Sequence, residues 1–361
     1  MVERLKTTNE YFDLIIIGGG YVGAWCAFLG ANMFSEWKIA VIDKSKMGSG
    51  ASYFGADLDF PNNLTDEIKK MSALSRVHFN NITSEILDFP SVRLEAYAIG
   101  KPDSFNKNRF EKKLRQSNSS CNQLNISKKK VQLQKEQEIH GPIECYRAID
   151  KSSISKLLLA SQYQGRNVEI IEHSEVINVK YDRECLLNNI LLADGREFSS
   201  RFVITSIGPW SLQIPWIKKF KVDWKIKKII CFYIDIFPNR KDSVLYFLDE
   251  DSFLMPMLEQ KKWLFSVSSE EWNCSPKEPL KITEDELDRA IAILNKYVPN
   301  MIPYLSKGRV FCDTYSSKRQ PITVAEFRNP THLIAGGCGG SGYRLAPALA
   351  EKTINTLAKC V

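Results

Sequence analysis

The stretch Leu14-Ile15-Ile16-Ile17-Gly18-Gly19-Gly20-Tyr21-Val22-Gly23 decides the fold of this chain. Its four apolar residues predict a buried strand, and the glycine-rich turn that follows them leads into a helix. A second apolar run, Lys38–Ile42, ends at Asp43, 20 residues after Gly23. Strand, glycine turn, helix, strand and acid in this order form the unit that binds a dinucleotide.

Each glycine of this unit has a physical role. Gly18 permits a tight turn, Gly20 lets backbone N–H groups approach a pyrophosphate, and Gly23 lets the helix pack close to the strand. The helix that begins at Tyr21-Val22 points the positive end of its dipole at the same phosphates. A carboxylate at Asp43 can accept hydrogen bonds from ribose hydroxyls.

Two further segments favour FAD over a nicotinamide cofactor. A loop of small residues, Lys44–Ser52, follows the acid directly, as expected where the chain continues along the pyrophosphate. Near the C-terminus, the apolar run Leu333-Ile334-Ala335 leads into a second glycine turn and a helix that contains Pro347 early. This helix N-terminus is predicted to face the flavin pyrimidine edge, where negative charge gathers on reduction.

Four stretches together resemble the FAD-dependent D-amino acid oxidase superfamily, which includes glycine oxidase, sarcosine oxidase and related amine dehydrogenases. They are Gly18 to Gly23 with Asp43; Gly48-Ser49-Gly50-Ala51-Ser52; Asp194-Gly195 followed by Phe202 to Ser211; and Gly336 to Pro347. They follow the order of the family over nearly the whole chain. The resemblance implies that flavin takes a hydride from a carbon bonded to nitrogen and leaves an imine. It also implies that Val176 meets the adenine side and that Gly208 and Trp210 lie beside the cofactor.

Six segments therefore supply the predicted cofactor contacts. The residues are Gly18, Gly20, Tyr21, Val22 and Gly23; Asp43 and Lys44; Gly50, Ala51 and Ser52; Val176, Gly208 and Trp210; and Gly337, Gly339, Gly340, Ser341, Gly342 and Tyr343.

The order of the predicted elements indicates an α/β fold with two domains. A chain of 361 residues with 44% hydrophobic residues can bury a large core. We expect a Rossmann-like FAD-binding domain with a parallel sheet, formed by residues 1–90, 145–225 and 310–361. Residues 91–144 and 226–309 are expected to form an α+β substrate domain with an antiparallel sheet, because residues 226–273 alternate apolar and polar. Thr283 and Glu286 form a capping box that predicts a helix start.

The substrate domain is expected to cover the flavin. In glycine oxidase-like chains, the resemblance implies two arginines near the substrate, one of which grips its carboxylate. Here Asp313 and Gly340 occupy these two slots. The sequence therefore favours a specialised amine over a simple amino acid. The candidates for substrate contacts are Arg319, Arg344, Tyr146, Arg147 and Tyr246. For each of them the alternative is a structural role, in an ion pair or in core packing.

Two other functions stay open from the sequence. One is oxidation of a 2-hydroxy acid on the same fold, and the other is a non-catalytic subunit that binds FAD and serves a partner. The substrate is expected to be a small-molecule amine or amino acid, free or bound to a carrier. The electron acceptor is O₂ or another acceptor.

The net charge of +7 is partly local, because a lysine-rich insertion lies within residues 104–138. An anionic partner and a solvated surface both account for it, and no nucleic-acid-binding signature is present. No apolar run is long enough for a transmembrane helix. The histidines lack the spacing of metal ligands, so no metal is expected.

The nine cysteines are scattered, odd in number and without a CxxC pair. This pattern indicates reduced thiols in a cytoplasmic protein. By resemblance, Cys312 lies near the position at which sarcosine oxidases attach flavin covalently. A buried free thiol is the alternative.

Overall fold

The computed structural model describes residues 10–60, 65–86, 89–107, 125–126, 129–149, 152–162 and 166–361. The strands among them are β1 (Glu10–Ile17), β2 (Lys38–Ile42), β3 (Ser91–Gly100), β4 (Asn125–Ile126), β5 (Lys129–Lys130), β6 (Glu138–Ala148), β7 (Asn167–Ile171), β8 (Val176–Asp182), β9 (Leu187–Leu192), β10 (Glu197–Thr205), β11 (Trp224–Ile234), β12 (Val244–Phe247), β13 (Ser252–Met257), β14 (Lys262–Trp272), β15 (Leu305–Ser316), β16 (Ile322–Glu326) and β17 (Asn329–Gly336).

The α-helices are α1 (Tyr21–Met33), α2 (Ala51–Phe54), α3 (Asp66–Glu85), α4 (Pro102–Lys107), α5 (Ser152–Ser161), α6 (Glu284–Tyr297) and α7 (Gly342–Ala358). Short 3₁₀ helices span Gly208–Gln213, Pro215–Phe220 and Pro299–Tyr304. Most of the lysine-rich insertion lies outside the described residues.

The first sheet has the strand order β16-β17-β10-β1-β2-β7, and β8 and β9 extend it beside β10. The five strands from β17 to β7 run parallel, and β16 is antiparallel to β17. Helices α1, α5 and α7 pack together on one face over a core that includes Leu14, Ile16 and Phe202. The predicted Rossmann-like unit is confirmed, because helices cover one face of the parallel strands and β8 and β9 cover the other, where Ile15 and Val203 are buried.

The second sheet has the order β15-β11-β14-β13-β12-β3-β6. Its pairs are antiparallel except for β12 with β3. One face packs against α6, where Phe232, Trp263 and Leu294 share a buried cluster. The predicted antiparallel sheet is confirmed. Strands β6 and β15 continue past residues 144 and 309, the expected limits of the substrate domain.

None of the described helices combines the length and apolar character that a membrane crossing requires. The eight cysteines among the described residues are free thiols, and Cys121 lies outside those residues.

Helix α6 is anchored to the second sheet by a buried lysine. Thr283 caps the helix, and Glu286 completes the predicted capping box by accepting from the Thr283 backbone N–H. The same carboxylate lies 3.0 Å from Lys228 Nζ, which also pairs with Glu271 at 2.9 Å. Burial opposes the charge on Lys228, but its hydrogen bonds to Glu271 and Glu286 outweigh burial and raise its pKa.

We expect Lys228→Met to destabilise the fold by about 3 kcal/mol, because it leaves the buried Glu286 carboxylate without its cation. Urea unfolding measures the change. Lys225→Met is the matched control, since Lys225 is exposed on the same strand and its loss should cost little. Equal stability of the two variants would show that the buried ion pair does not hold α6.

Candidate cofactor and substrate site

The turn between β1 and α1 is built on close backbone contacts. Gly18 has a φ of +103°, and a Cβ there would lie 2.6 Å from the Ser206 carbonyl oxygen at the end of β10. A Cβ on Gly23 would lie 1.9 Å from the Gly18 carbonyl oxygen. Both positions therefore require glycine, and the start of α1 is held at the carboxyl end of the sheet.

Asp43 and Ser52 converge on this turn. Asp43 accepts hydrogen bonds from the backbone N–H groups of Gly19 and Ser45, both at 2.8 Å. Burial raises the pKa of Asp43, although the two backbone bonds favour the carboxylate. The Ser52 hydroxyl accepts from the Tyr21 N–H at 3.1 Å, at the N-terminus of α1.

This arrangement fits a dinucleotide. A helix N-terminus and a hydroxyl are suited to bind a pyrophosphate. A Cβ at Gly20 would approach the Ser52 hydroxyl to 2.9 Å, so only glycine at residue 20 leaves this hydroxyl its place at the N-terminus of α1. The residues that would hold the pyrophosphate are Gly20, Val22 and Ser52, with Asp43 placed for a ribose.

Other predicted cofactor residues surround the loop before α2. The Lys44 Nζ lies 4.2 Å from the centroid of the Trp210 ring. The edge of that ring lies 3.1 Å from where a Cβ on Gly50 would be. Gly208 has a φ of +54° and starts the 3₁₀ helix that carries Trp210. Val176 begins β8 and is buried beside the end of the sheet.

The second glycine turn joins β17 to α7. Gly337, Gly339 and Gly340 have φ values of +78°, +56° and +75°. Gly342 begins α7 directly after them. The Tyr343 side chain points into the core, where its ring centroid lies 5.3 Å from that of Tyr21. Tyr343 could therefore contact the cofactor only through its backbone.

Between the two glycine turns lies a row of alternating side chains on β15, here called the β15 row: Arg309, Phe311, Asp313 and Tyr315. At one end, Arg309 donates to the Gly55 carbonyl at 3.0 Å, and Phe311 stacks on Phe54 at 5.4 Å. At the other end, Asp313 accepts from the Gly340 N–H at 2.8 Å.

Tyr315 also packs against the second glycine turn, because its ring lies 2.8 Å from where a Cβ on Gly339 would be. The row thus reaches from α2 to the second turn and closes the site from the side of the antiparallel sheet. From the sequence, only Asp313 of this row was a candidate site residue. The period-two alternation of β15 was the signal that could have identified the other three.

The carboxyl group of Asp313 has a raised pKa although it is hydrogen-bonded. Burial raises its pKa to about 6, even though its carboxylate accepts hydrogen bonds from the backbone of Gly340 and Thr314. Asp313 also raises the pKa of Tyr315, behind the larger effect of burial on that phenol. A carboxylate this desolvated gains from a cation placed beside it.

The three candidate arginines do not converge on the site. Arg319 is exposed in the turn after β15. Arg344 is buried and donates to the Phe60 carbonyl and, at 3.1 Å, to the Ser341 hydroxyl. Arg147 is buried and paired with Glu259. Arg344 and Arg147 thus have protein partners that hold the backbone around the site, and their contact with substrate remains a prediction.

The two candidate tyrosines also lie apart. The Tyr146 hydroxyl donates to Glu144 at 2.9 Å. Tyr246 stacks on Phe60, with ring centroids 4.7 Å apart, and donates to Asp251 at 2.9 Å. Tyr246 is half-buried on the face of the sheet that bears the β15 row, whereas Tyr146 lies on the distant strand β6.

Cys312 lies on the opposite face of β15 from the row. It is buried and hydrogen-bonded to Cys274, and burial raises its pKa to about 12. The covalent attachment that the resemblance suggested for Cys312 finds no support in this orientation, which instead suits a buried thiol.

Residues 13–356 match the family described as DAO, FAD dependent oxidoreductase. The chain belongs to this family. Its cofactor is accordingly FAD, and it is an oxidoreductase.

Solved structures share the fold at low sequence identity. Glycine oxidase from Geobacillus kaustophilus is 14% identical with a TM-score of 0.75, covering 97% of this chain and 95% of that one. L-proline dehydrogenase from P. horikoshii is 14% identical with a TM-score of 0.76, covering 98% and 94%. L-alpha-glycerophosphate oxidase from Mycoplasma pneumoniae, with FAD bound, is 15% identical with a TM-score of 0.75, covering 97% and 95%.

One curated relative matches a short segment. The probable glycerol-3-phosphate dehydrogenase of Encephalitozoon cuniculi is 46% identical over 52 residues, which are 14% of this chain and 8% of that protein. The chain thus matches far less than two thirds of the length of this relative.

We expect Gly20→Leu to abolish FAD binding, because the larger side chain displaces the Ser52 hydroxyl and covers the N-terminus of α1, where the pyrophosphate would bind. The absorption spectrum and FAD-to-protein ratio of the purified variant measure this loss. Gly30→Ala is the matched control in the same helix, since its added methyl meets no described atom nearer than 3.4 Å. Normal FAD content in Gly20→Leu would contradict the assignment of this turn.

Proposed function

We propose that this protein oxidises a C–N bond of an amine to an imine, and that Asp313 binds the amine. The observation that carries the proposal is Asp313 in the β15 row, next to Phe311, which stacks on Phe54, and itself bonded to the Gly340 N–H. A half-buried carboxylate on the wall of a flavin site favours a cationic ligand, and an amine is cationic at neutral pH.

The charges around the site also argue against a small α-amino acid. Of the three candidate arginines, Arg147 pairs with Glu259, Arg344 bonds the Phe60 carbonyl, and Arg319 is exposed. An α-carboxylate beside Asp313 places two like charges together. A buried carboxylate without a cation costs several kcal/mol. An amine without an α-carboxylate avoids both effects.

The residues of this chain can then prepare the amine for oxidation. Asp313 accepts a proton from the substrate ammonium, which leaves the nitrogen lone pair free. FAD would supply the hydride acceptor when bound. The free amine loses one hydride from carbon, which carries both electrons, and one proton from nitrogen as its C–N bond becomes C=N. Phe54 and Phe311 shield this region from water, and the remaining contribution of the protein is orientation.

A second candidate is oxidation of a phosphorylated alcohol. The FAD-bound glycerophosphate oxidase structure and the short glycerol-3-phosphate dehydrogenase match favour it. Asp313 argues against it, because a phosphate bound beside this carboxylate meets like charge. A 2-hydroxy acid meets the same repulsion.

The test is anaerobic reduction of the FAD-loaded protein. We expect alkylamines to bleach the flavin, with glycine, sarcosine, lactate and glycerol 3-phosphate slow or inactive. Bleaching by lactate or glycerol 3-phosphate alone would contradict the proposal. Bleaching by none of them in a fully FAD-loaded protein would favour a non-catalytic subunit.

We expect Asp313→Asn to weaken amine binding by about tenfold to hundredfold, the value of a hydrogen bond to a charged group. The wild-type affinity should fall as the pH drops below about 6, because Asp313 then becomes protonated. Alkylamines keep their charge between pH 5 and 8, so they do not contribute to this change. The dissociation constant from the dependence of reduction rate on amine concentration measures both effects.

Asp223→Asn is the control for Asp313→Asn, since Asp223 is exposed and precedes β11. Retention of the fall in affinity below pH 6 in Asp313→Asn would assign it to another group.

A further inference from the structure

Lys227 lies opposite Asp313 across strands β11 and β15 and on the same face. Its Nζ lies 5.8 Å from the centroid of the Tyr315 ring, a member of the β15 row. The Lys227 side chain points away from Asp313, toward β14, where Nζ donates to the Ser268 hydroxyl at 2.9 Å. A carboxylate and an ammonium group thus border the same surface without pairing to each other.

The two charges lie about two strand spacings apart across the sheet. Asp313 is on β15 and Ser268 is on β14, with β11 between them. Neighbouring strands lie about 4.8 Å apart, so the two charged groups are about 9–10 Å apart. Tyr315 and Trp272 line the space beside Lys227, and the half-buried Ile229 follows on the same face.

The surroundings leave Lys227 able to take a further anion. Burial lowers its pKa, and the nearby charges are Asp251, Glu270 and Arg289. Asp251 accepts from Tyr246, and Glu270 pairs with Arg289. Within the described part of the chain, no carboxylate lies within ion-pairing distance of Lys227. A desolvated ammonium group without a direct counter-ion is stabilised by an anionic ligand.

We propose that Lys227 binds an anionic group at the far end of the amine substrate. This inference rests on the proposed amine oxidation and adds the substrate class. The substrate is an amine whose carboxylate or phosphate is separated from the nitrogen by about three to five carbon atoms, the length that fits between the two groups with room for their hydrogen bonds. An α-amino acid is too short to reach both.

The test compares amines that differ only in the distant group. The probes are 5-aminopentanoate, 3-aminopropyl phosphate and pentylamine, each titrated anaerobically against the FAD-loaded protein. We expect one of the two anionic probes to bind at least about tenfold more tightly than pentylamine, as a partly desolvated ion pair implies. The tighter of the two identifies the anion as carboxylate or phosphate.

Lys227→Gln should remove this preference, so that neither anionic probe binds more tightly than pentylamine. Lys227→Arg should keep part of it, because the charge remains. Lys225→Gln is the matched control, since Lys225 is exposed on the same strand and two residues away. The flavin spectrum of each variant shows that it is folded and loaded.

The outcomes separate the two proposals. Reduction by pentylamine and by both anionic probes with equal affinity, unaffected by Lys227→Gln, would overturn the role of Lys227 and leave amine oxidation intact. Failure of every amine to bind or to reduce the flavin would overturn both.

Discussion

The backbone of Gly23 packs directly on the carbonyl of Gly18, at a distance that no side chain at residue 23 allows. This contact places the N-terminus of α1 at the carboxyl end of β1. The Tyr21 N–H can then meet the Ser52 hydroxyl, and the Gly19 N–H can meet Asp43. The cofactor end of the molecule therefore depends on one close approach of helix to strand, as is typical of dinucleotide-binding folds.

A second constraint joins this end to the antiparallel sheet. Strand β15 contacts the segment after α2 through Arg309 and the second glycine turn through Asp313. One strand thus contacts both the segment after α2 and the second glycine turn, the two loops that are predicted to border the flavin. The same strand pairs with β11, which brings Lys227 beside the site. The predicted cofactor loops and the proposed substrate-binding residues are thus connected through one strand, and a site built on a strand holds its side chains more precisely than one built on loops.

Local signals predicted much of the fold. The glycine turn, the acid at Asp43 and the capping box at Thr283 are each set by residues a few positions apart, or by a repeated spacing, so they can be read directly from the sequence. The alternation over residues 226–273 predicted the antiparallel sheet for the same reason.

The candidate site depended on contacts that the sequence does not show. Arg147 pairs with a glutamate 112 residues away, and Arg344 bonds a carbonyl 284 residues away. Neither partner could be inferred from spacing, so the sequence left both arginines open between a substrate contact and a structural role. Arg309 and Lys227 were missed because their importance follows from the register of β15 with β11, which is a property of the folded sheet.

The central claim is that Asp313 borders the flavin ring, and the pH dependence of the flavin spectrum tests it most directly. Ionisation of a carboxyl beside the ring changes the field that the flavin senses. The visible spectrum of the FAD-loaded protein without substrate should change with a midpoint near pH 6, the pKa to which burial raises Asp313. Asp313→Asn should lose this transition while keeping its FAD. A spectrum that does not change with pH, or a transition that persists in Asp313→Asn, would contradict the account.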